Sequence, residues 1–341
     1  MQMFNKEIKI KNFIVGENNP VFTIAEAGIS HFGSVEKAFK LIDLAIEAKA
    51  DSVKFQIFDI EQMYTKNSKE WIDRLGSRQI SYENFIMLKK YCDEKGIIFF
   101  ATAHDDKSLN FLIDLDVDLF KIGSGEIRNW PYIEKVAEQN KPVILSVGMY
   151  KIEEIEEVVN IFKKIKNKNL IILHCVTDYP ADPGDIALGN IQMLSKKFNL
   201  VTGYSDHTIG YHIPLASVAM GAKVIEKHIT LDFNIPNAQD WKVSCGPNNL
   251  SKFISELRDV EKAIKIRLDG PTDNEKKNSQ WASKSLVLKK SAKKGTLIES
   301  YNLIAKRPGG GISPSDINEV IGKKLKKDLE SDQVLTWDII E

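Results

Sequence analysis

Gly203-Tyr204-Ser205-Asp206-His207-Thr208, followed downstream by Glu226-Lys227-His228, is the stretch on which the fold turns. Each histidine stands just past a short apolar run, Asn199-Leu200-Val201-Thr202 before the first and Ala222-Lys223-Val224-Ile225 before the second. Between them residues 211–220 carry a helical pattern. The unit is strand, helix, strand, with a histidine at the carboxyl end of both strands. In a parallel barrel those ends share one face, so both imidazoles are expected to point at one small volume. Two neutral imidazoles with an open coordination sphere suit a divalent transition metal. The competing reading is two ordinary polar residues at strand ends.

The same beat runs outward through the chain. Strands are expected at 21–25, 51–55, 97–101, 118–122, 142–147, 169–174, 200–203 and 223–226. Helices are expected at 35–48, 82–95, 107–114, 131–139, 152–163, 188–197, 211–220 and 250–266. Eight strands alternating with eight helices predict an α/β fold, a closed parallel (β/α)8 TIM barrel. The strands read as near-continuous apolar runs, as strands covered on both faces should. An open doubly wound sheet would need a glycine-rich turn after the first strand, and Ala27-Gly28-Ile29-Ser30-His31-Phe32-Gly33 is not G-x-G-x-x-G.

Before the barrel, residues 8–14 alternate loosely and run into Gly16-Glu17-Asn18-Asn19-Pro20, which predicts a hairpin within residues 1–20 that plugs one end. The catalytic domain is expected to span 1–267. Residues 268–281 are polar and turn-rich, a linker by composition. Residues 282–341 form a small β-rich domain, with strands at 285–288 and 303–306, a short helix near 314–320 and final strands. A domain of that size is expected to lack an extensive core.

Composition narrows the function. The 341 residues carry 47 basic and 47 acidic side chains, so no overall basic field draws nucleic acid. Three cysteines, Cys92, Cys175 and Cys245, cannot all pair and have no zinc-knuckle spacing, which fits a reducing compartment. Met1-Gln2-Met3-Phe4-Asn5-Lys6 contains no apolar signal core, and no run of about twenty apolar residues exists. A cytoplasmic protein with no membrane partner is expected.

Active sites of such barrels are built at the carboxyl ends of the strands. Read there, the chain offers Glu26; Lys54 and Gln56; Thr102 and His104; Lys121, Ser124 and Glu126; Ser146; His174, Thr177 and Tyr179; then Ser205, Asp206, His207, Lys227 and His228. A lysine inside an apolar strand is costly unless an anion pairs with it. Lys54, Lys121, Ser146 and Ser205 together look like a cradle for a multiply anionic small molecule. Any one of these lysines alone reads equally well as a side chain snorkelling at a strand end.

Ile24-Ala25-Glu26-Ala27-Gly28, Val53-Lys54-Phe55-Gln56, Lys121-Ile122-Gly123-Ser124-Gly125-Glu126, Leu145-Ser146-Val147-Gly148-Met149, Leu173-His174-Cys175 and the two histidine stretches resemble the motifs of the sialic acid synthase family, in order along nearly the whole chain. That family includes N-acetylneuraminate, legionaminic acid and pseudaminic acid synthases. The tail, from Lys284-Ser285-Leu286-Val287 through Lys306-Arg307-Pro308 to Ile321-Gly322-Lys323, is similar to its antifreeze-like (SAF) domain.

The resemblance implies a phosphoenolpyruvate site from Lys54, Thr102, Lys121, Ser124, Ser146 and Ser205. It implies Mn2+, with Mg2+ or Co2+ as alternatives, on His207 and His228. Glu26, Gln56, Thr177, Tyr179 and Asp240 would contact an acceptor aldose. Arg307 would reach that sugar from the tail of a second chain in a domain-exchanged homodimer. In the reaction so implied, the enol carbon attacks the open-chain aldehyde, water adds at the carbon bearing phosphate, and phosphate departs by C–O cleavage. Lys121 and Lys54 would offset the departing charge. Glu126, Glu26 and Lys121 are the candidate catalytic residues, Glu126 for activating the water or stabilising the cationic carbon.

The sequence departs from the family pattern at three places. Ile29-Ser30-His31-Phe32-Gly33 stands where relatives carry Asn-His-Asn-Gly, Thr102-Ala103-His104 stands for Thr-Pro-Phe, and Trp241 stands for a histidine in Asp240-Trp241-Lys242-Val243-Ser244. All three lie on the sugar side. His104 is expected either to touch the sugar or to face solvent, and Trp241 either to stack on a sugar or to pack under its loop. A different or phosphorylated aldose is the enzyme alternative, for which Arg128 and Lys151 are the only extra basic residues at the mouth. A non-catalytic carbohydrate-binding protein is the alternative from another class.

Overall fold

The computed structural model describes residues 3–236 and 238–341. Met1 and Gln2 of the expected amino-terminal hairpin segment, and Asn237 of the loop before Trp241, lie outside the described residues. The chain divides into two compact units, Met1–Lys265 and Ile266–Glu341.

The first unit opens with an antiparallel hairpin, β1 (Glu7–Ile10) and β2 (Phe13–Gly16). There follow β3 (Phe22–Gly28), α1 (Val35–Glu47), β4 (Ser52–Ile57), α2 (Ile60–Met63), α3 (Lys69–Gly76), α4 (Tyr82–Lys95), β5 (Ile98–Ala103), α5 (Asp106–Asp114), β6 (Phe120–Ile122) and α6 (Trp130–Ala137). The order continues with β7 (Val143–Ser146), α7 (Ile152–Ile165), β8 (Leu170–Cys175), α8 (Gly189–Phe198), β9 (Val201–Asp206), α9 (His212–Ala219), β10 (Val224–His228) and α10 (Leu250–Ala263). Strands β3 to β10 pair in parallel, each with its sequence neighbour, and β10 closes on β3 to complete an eight-stranded barrel.

Helix starts are set by side-chain caps. Ser34 and Ser81 accept from the backbone N–H of Lys37 and Asn84, and Asp105 accepts from Ser108, so each helix begins where a polar cap meets an apolar stripe. Gly96, in the left-handed region at φ 79°, ends α4.

Two apolar layers result. Helix faces pack on the outward strand residues, among them Val53, Phe55, Phe99, Ile122, Leu145 and Ile172. Inside the barrel, Phe22, Ile24, Ile98, Phe100, Leu119, Ile144, Ile171, Leu173, Val201 and Val224 fill the amino-terminal half, and Ile8, Ile10 and Val15 of the hairpin close it from below. Gly203 is required in this layer, because a Cβ there would lie 2.3 Å from the Val224 carbonyl and 2.7 Å from Leu173.

Five strands run two or three residues past their expected ends: β3 to Gly28, β4 to Ile57, β5 to Ala103, β9 to Asp206 and β10 to His228. Backbone pairing continues there, with Glu226 opposite Ser205, Lys227 opposite Asp206, and His228 opposite Glu26, while the inward side chains turn polar. Helices α2 and α3, absent from the sequence expectation, fill the excursion between β4 and α4. They are four and eight residues long and bury no residue; Trp71, Ile72 and Leu75 share one face of α3, but the repeat is too short to mark a helix in the sequence.

The second unit corrects two expectations. Part of the stretch read as a linker is α11 (Asp273–Ala282), started by a capping box in which Thr272 Oγ1 accepts from Glu275 N–H at 3.0 Å and Glu275 accepts from Thr272 N–H at 2.6 Å. It buries no side chain, which is why hydrophobic patterning misses it. β11 (Ser285–Leu288) and β12 (Leu303–Lys306) pair antiparallel, and α12 (Ile317–Val320) follows. Beyond it, the described residues hold no final strands but single bridges such as Ala292 to Leu329 and Leu325 to Ile340. The unit has its own apolar core, including Leu286, Leu288, Ile298, Leu303, Leu325 and Leu335.

Candidate active site

In a strand, every second side chain points the same way. Followed inward, β3 gives Phe22, Ile24 and Glu26. β5 gives Ile98, Phe100 and Thr102, then His104 just past its end. β9 gives Val201, Gly203 and Ser205, then His207, and β10 gives Val224, Glu226 and His228. The interior is thus apolar in its amino half and polar in its carboxyl half. The polar half opens as a cavity lined by Glu26, Lys54, Gln56, Thr102, His104, Lys121, Gly123, Ser124, Ser146, Cys175, Thr177, Tyr179, Ser205, His207, Glu226 and His228, among others.

Its floor is an alternation of charge. Lys54 Nζ lies 2.8 Å from Glu26 Oε2, donates to Thr102 Oγ1 at 3.1 Å and lies 3.7 Å from Glu226 Oε2. Lys121 Nζ donates to Ser146 Oγ at 2.8 Å and lies 3.7 Å from Glu226 Oε1, which also accepts from Ser205 Oγ at 2.9 Å. Both lysines and both carboxylates are at most 4% exposed. Charges removed from water this fully persist only when paired. Here the pairs are arranged around a cavity, so an anionic molecule can exchange with the carboxylates for the ammonium groups.

The four groups are driven apart in acidity. Burial pushes the Glu26 carboxyl up to about 7, against the pull of Lys54 and with the push of Glu226. Burial also pushes Glu226 upward, but Lys121, Lys54 and the Ser205 hydroxyl outweigh it and hold that carboxyl well below the usual range. Burial lowers Lys121. For Lys54 burial is outweighed by Glu226 and Glu26, and its ammonium is strengthened. The two lysines and Ser205 therefore favour Glu226 as the charged carboxylate, and Glu26 is poised near neutrality.

Above this floor the imidazoles of His207 and His228 sit with ring centroids 5.4 Å apart, and the Tyr179 ring lies 4.0 Å from His207 and 5.8 Å from His228. Burial lowers His207 to about 4 and His228 to about 3, so both are neutral at pH 7. His207 Nδ1 is 2.7 Å from the Val176 carbonyl, which makes Nδ1 the protonated nitrogen and leaves Nε2 with a free lone pair. His228 Nδ1 is buried with no hydrogen-bond partner. These are the properties of nitrogen ligands to a divalent metal. Among the described residues no group of three or more His, Cys, Asp or Glu side chains converges on a metal-sized volume. A metal here would take two protein ligands and fill its other positions with water or substrate, as an open catalytic site does.

Three expected site residues stand outside the cavity lining. Glu126, at the end of the turn Ser124–Glu126, accepts from Asn129 Nδ2 at 2.6 Å, and burial raises its carboxyl. The turn carries Ser124 to the wall, where its Oγ accepts from Gly148 N–H at 2.9 Å, and leaves Glu126 outside the lining beside Asn129. Asp240, in the short helix Asp240–Val243, acts on His228 only through its charge. Arg307 belongs to the second unit, its guanidinium 5.8 Å from the Trp281 ring centre.

Other strand-end residues prove to face the helices. Asp206 and Lys227 form an ion pair behind the imidazoles, and His174 Nε2 contacts the Ile186 carbonyl. Alternation explains this, since Ser205, His207, Glu226 and His228 take the inward positions. The residue missed outright is Glu226, read only as part of its motif. Its signal was the same alternation, two positions before His228.

Trp241 donates through Nε1 to the Ile235 carbonyl at 3.0 Å and ties down its own loop. His104 lines the cavity. Arg128, a basic residue noted at the mouth, is held by Glu154 at 2.5 Å.

Against known proteins, residues 41–267 match the NeuB family and residues 283–341 the SAF domain. The N,N'-diacetyllegionaminic acid synthase of Campylobacter jejuni is 38% identical over 92% of this chain and 98% of its own. The human N-acetylneuraminate-9-phosphate synthase is 33% identical over 96% of this chain and 94% of its own. The crystal structure of the N-acetylneuraminic acid synthetase of Leptospira borgpetersenii, in complex with citrate, superposes with a TM-score of 0.75 at 38% identity, covering 82% of this chain and 96% of that one. A barrel with this inward series and a tail that matches the SAF domain make the chain a member of the NeuB family, an enzyme of the N-acetylneuraminate synthase type.

Proposed function

We propose that this enzyme condenses phosphoenolpyruvate with the open-chain form of an N-acylated aldose, N-acetylmannosamine or a diacetamido-trideoxyhexose, giving a sialic-type nonulosonic acid and phosphate. The observation that carries the proposal is the buried floor of Lys54, Lys121, Glu26 and Glu226 beneath two neutral imidazoles. The names of the relatives, sialic-type and legionaminic acid synthases, point the same way.

In this reading Lys54 and Lys121 hold the donor's carboxylate and phosphate, with Thr102, Ser124, Ser146 and Ser205 supplying hydrogen bonds. His207 and His228 would hold a divalent ion, Mn2+ first and Mg2+ or Co2+ as alternatives, which would supply Lewis acidity toward the acceptor's carbonyl oxygen. A C–C bond forms between the enol carbon and the aldehyde carbon as the C=O π pair moves onto oxygen, which takes up a proton to become a hydroxyl, and positive charge develops at the carbon bearing phosphate. Glu226, kept as the carboxylate by Lys121, Lys54 and Ser205, would offset that charge. Glu26, poised near neutrality, accepts the proton of the water that adds there. The hydroxyl so added then loses its proton and forms the ketone as the C–O bond to phosphate breaks, and Lys121 and Lys54 hold the departing phosphate. Gln56, Thr177 and Tyr179 line the acceptor side. Arg307 of a second copy completes the acceptor site in a domain-exchanged homodimer, which light scattering would detect as twice the chain mass.

The test is phosphate release from phosphoenolpyruvate with Mn2+ against N-acetylmannosamine, its 6-phosphate, the 2,4-diacetamido-trideoxyhexoses and simple pentoses. Release with an N-acylated aldose, lost on chelation, supports the reading. Absence of phosphoenolpyruvate binding overturns it.

A further inference from the structure

His104 occupies the topmost inward position of its strand series, one step above Thr102, just as His207 stands above Ser205 and His228 above Glu226. The lysines that would hold an anionic donor lie in the tier below, with Thr102 and Ser205. β5 and β9 are the third and seventh strands of eight, so His104 and His207 face one another across the mouth. A second molecule seated over the donor and touching the two imidazoles therefore has His104 on its far side.

The ring is held in place. The backbone N–H of His104 donates to the Ile57 carbonyl at 3.1 Å, and the imidazole packs against Phe58 with centroids 6.5 Å apart. Its Nε2 is buried and has no hydrogen-bond partner, a condition that native interiors rarely tolerate. Asp105, the adjacent carboxylate, is committed elsewhere as the cap of α5, accepting from Ser108 N–H, Ser108 Oγ and Asp59 N–H. Burial and the nearby Lys54 and Lys121 lower the imidazole to about 4, so it meets a ligand uncharged. An uncharged ring with one idle nitrogen has nothing to add to an anion cradle that already holds two ammonium groups. It suits a hydroxyl or an amide.

We propose that His104 is a specificity-determining residue that hydrogen-bonds, through Nε2, a neutral polar substituent of the acceptor on the side away from His207 and His228. This rests on the condensation reading above. Loss of the bond leaves one buried polar group unpaired, and discrimination of that kind exceeds what a missing methyl provides.

The experiment is steady-state kinetics of His104→Phe and His104→Gln, with N-acetylmannosamine and the 2,4-diacetamido-trideoxyhexoses as acceptors, and calorimetric binding of phosphoenolpyruvate without acceptor. For the acceptor that the native enzyme uses, His104→Phe should raise KM about tenfold or more while phosphoenolpyruvate affinity stays within twofold. His104→Gln, which keeps a donor and an acceptor, should recover part of the loss. An unchanged acceptor KM in His104→Phe, as expected if the nitrogen meets only water, overturns the proposal. So does a rise confined to phosphoenolpyruvate KM, which would place His104 on the donor. Failure of the native enzyme to bind phosphoenolpyruvate would instead overturn the condensation reading, so the two failures are distinct.

Discussion

Lys54 Nζ stands 2.8 Å from Glu26 and 3.7 Å from Glu226, so one ammonium group is shared by two buried carboxylates that differ widely in acidity. Lys121 lies within 4 Å of Glu226 and Ser205 donates to it, whereas Lys121 reaches Glu26 only as a weaker, more distant charge, which breaks the symmetry. A pair of carboxyl groups separated in this way has one member available for proton transfer and one available as fixed charge.

The first consequence concerns pH. Glu26 has a folded value of about 7 against an ordinary 4.5, so the native state keeps this proton after the unfolded chain has released it. The stability contribution is present in full below about 4.5 and is lost as pH rises through about 7. Denaturation from pH 5 to 8 should show a fall that Glu26→Gln removes. In kinetics, the kcat/KM profile should carry a limb near pH 7 that the same substitution abolishes along with most of the rate. A limb unchanged in Glu26→Gln would assign it to another group.

The second concerns which glutamate takes part. Glu226→Gln removes the fixed negative charge between two lysines, leaving the floor more positive. Phosphoenolpyruvate should bind as well or more tightly, and kcat should fall about 100-fold or more. Glu126→Gln alters a side chain that Asn129 holds outside the cavity lining, and turnover should stay within about tenfold of native. The two variants compared in one phosphate-release assay discriminate the assignments. The reverse order of effects would restore Glu126 to the chemistry.

Much of this site is legible in the sequence because period-two alternation survives where hydrophobicity does not. Lys54 with Gln56, and Ser205 with His207, declare their shared face by spacing alone. Glu226 was passed over because it stands where the apolar run of β10 ends, and a strand read from apolar content stops there. The backbone pairing of Glu226 with Ser205 is what carries the strand on to His228. Helix α11 was illegible to periodicity for a different reason: no residue of it is buried, and its only mark was Thr272 three residues before Glu275. The placement of Glu126 depended on a single turn, whose direction no pattern of residue types specifies.

The third concerns the imidazoles. Calorimetric titration with Mn2+ should show one site per chain, and His207→Ala or His228→Ala should weaken it at least 100-fold, since either change removes half of the protein ligands. Phosphoenolpyruvate affinity measured without metal should change little, because Lys54 and Lys121 lie a tier below. Equal Mn2+ affinity in native and variant proteins would reject both histidines as ligands.

The fourth lies behind the imidazoles, on the helix-facing side of β9 and β10. Lys227 pairs with Asp206 and donates to the Thr208 carbonyl at 2.8 Å. Asp206 in turn accepts from Tyr204 Oη at 2.9 Å and from Thr208 Oγ1 at 2.9 Å. All four residues are at most 1% exposed. The network fixes the backbone on either side of His207, and it is the kind of buried pair whose half-removal is worse than its loss. Lys227→Met leaves the Asp206 charge without its partner and should destabilise the fold by roughly 3 to 5 kcal/mol in denaturant unfolding. Asp206→Asn combined with Lys227→Met removes the charge as well, keeps a hydrogen-bonding side chain beside Tyr204 and Thr208, and should recover most of that loss. A double variant no more stable than Lys227→Met would mean that the hydrogen bond from Lys227 to Thr208, rather than the ion pair, holds this corner of the barrel.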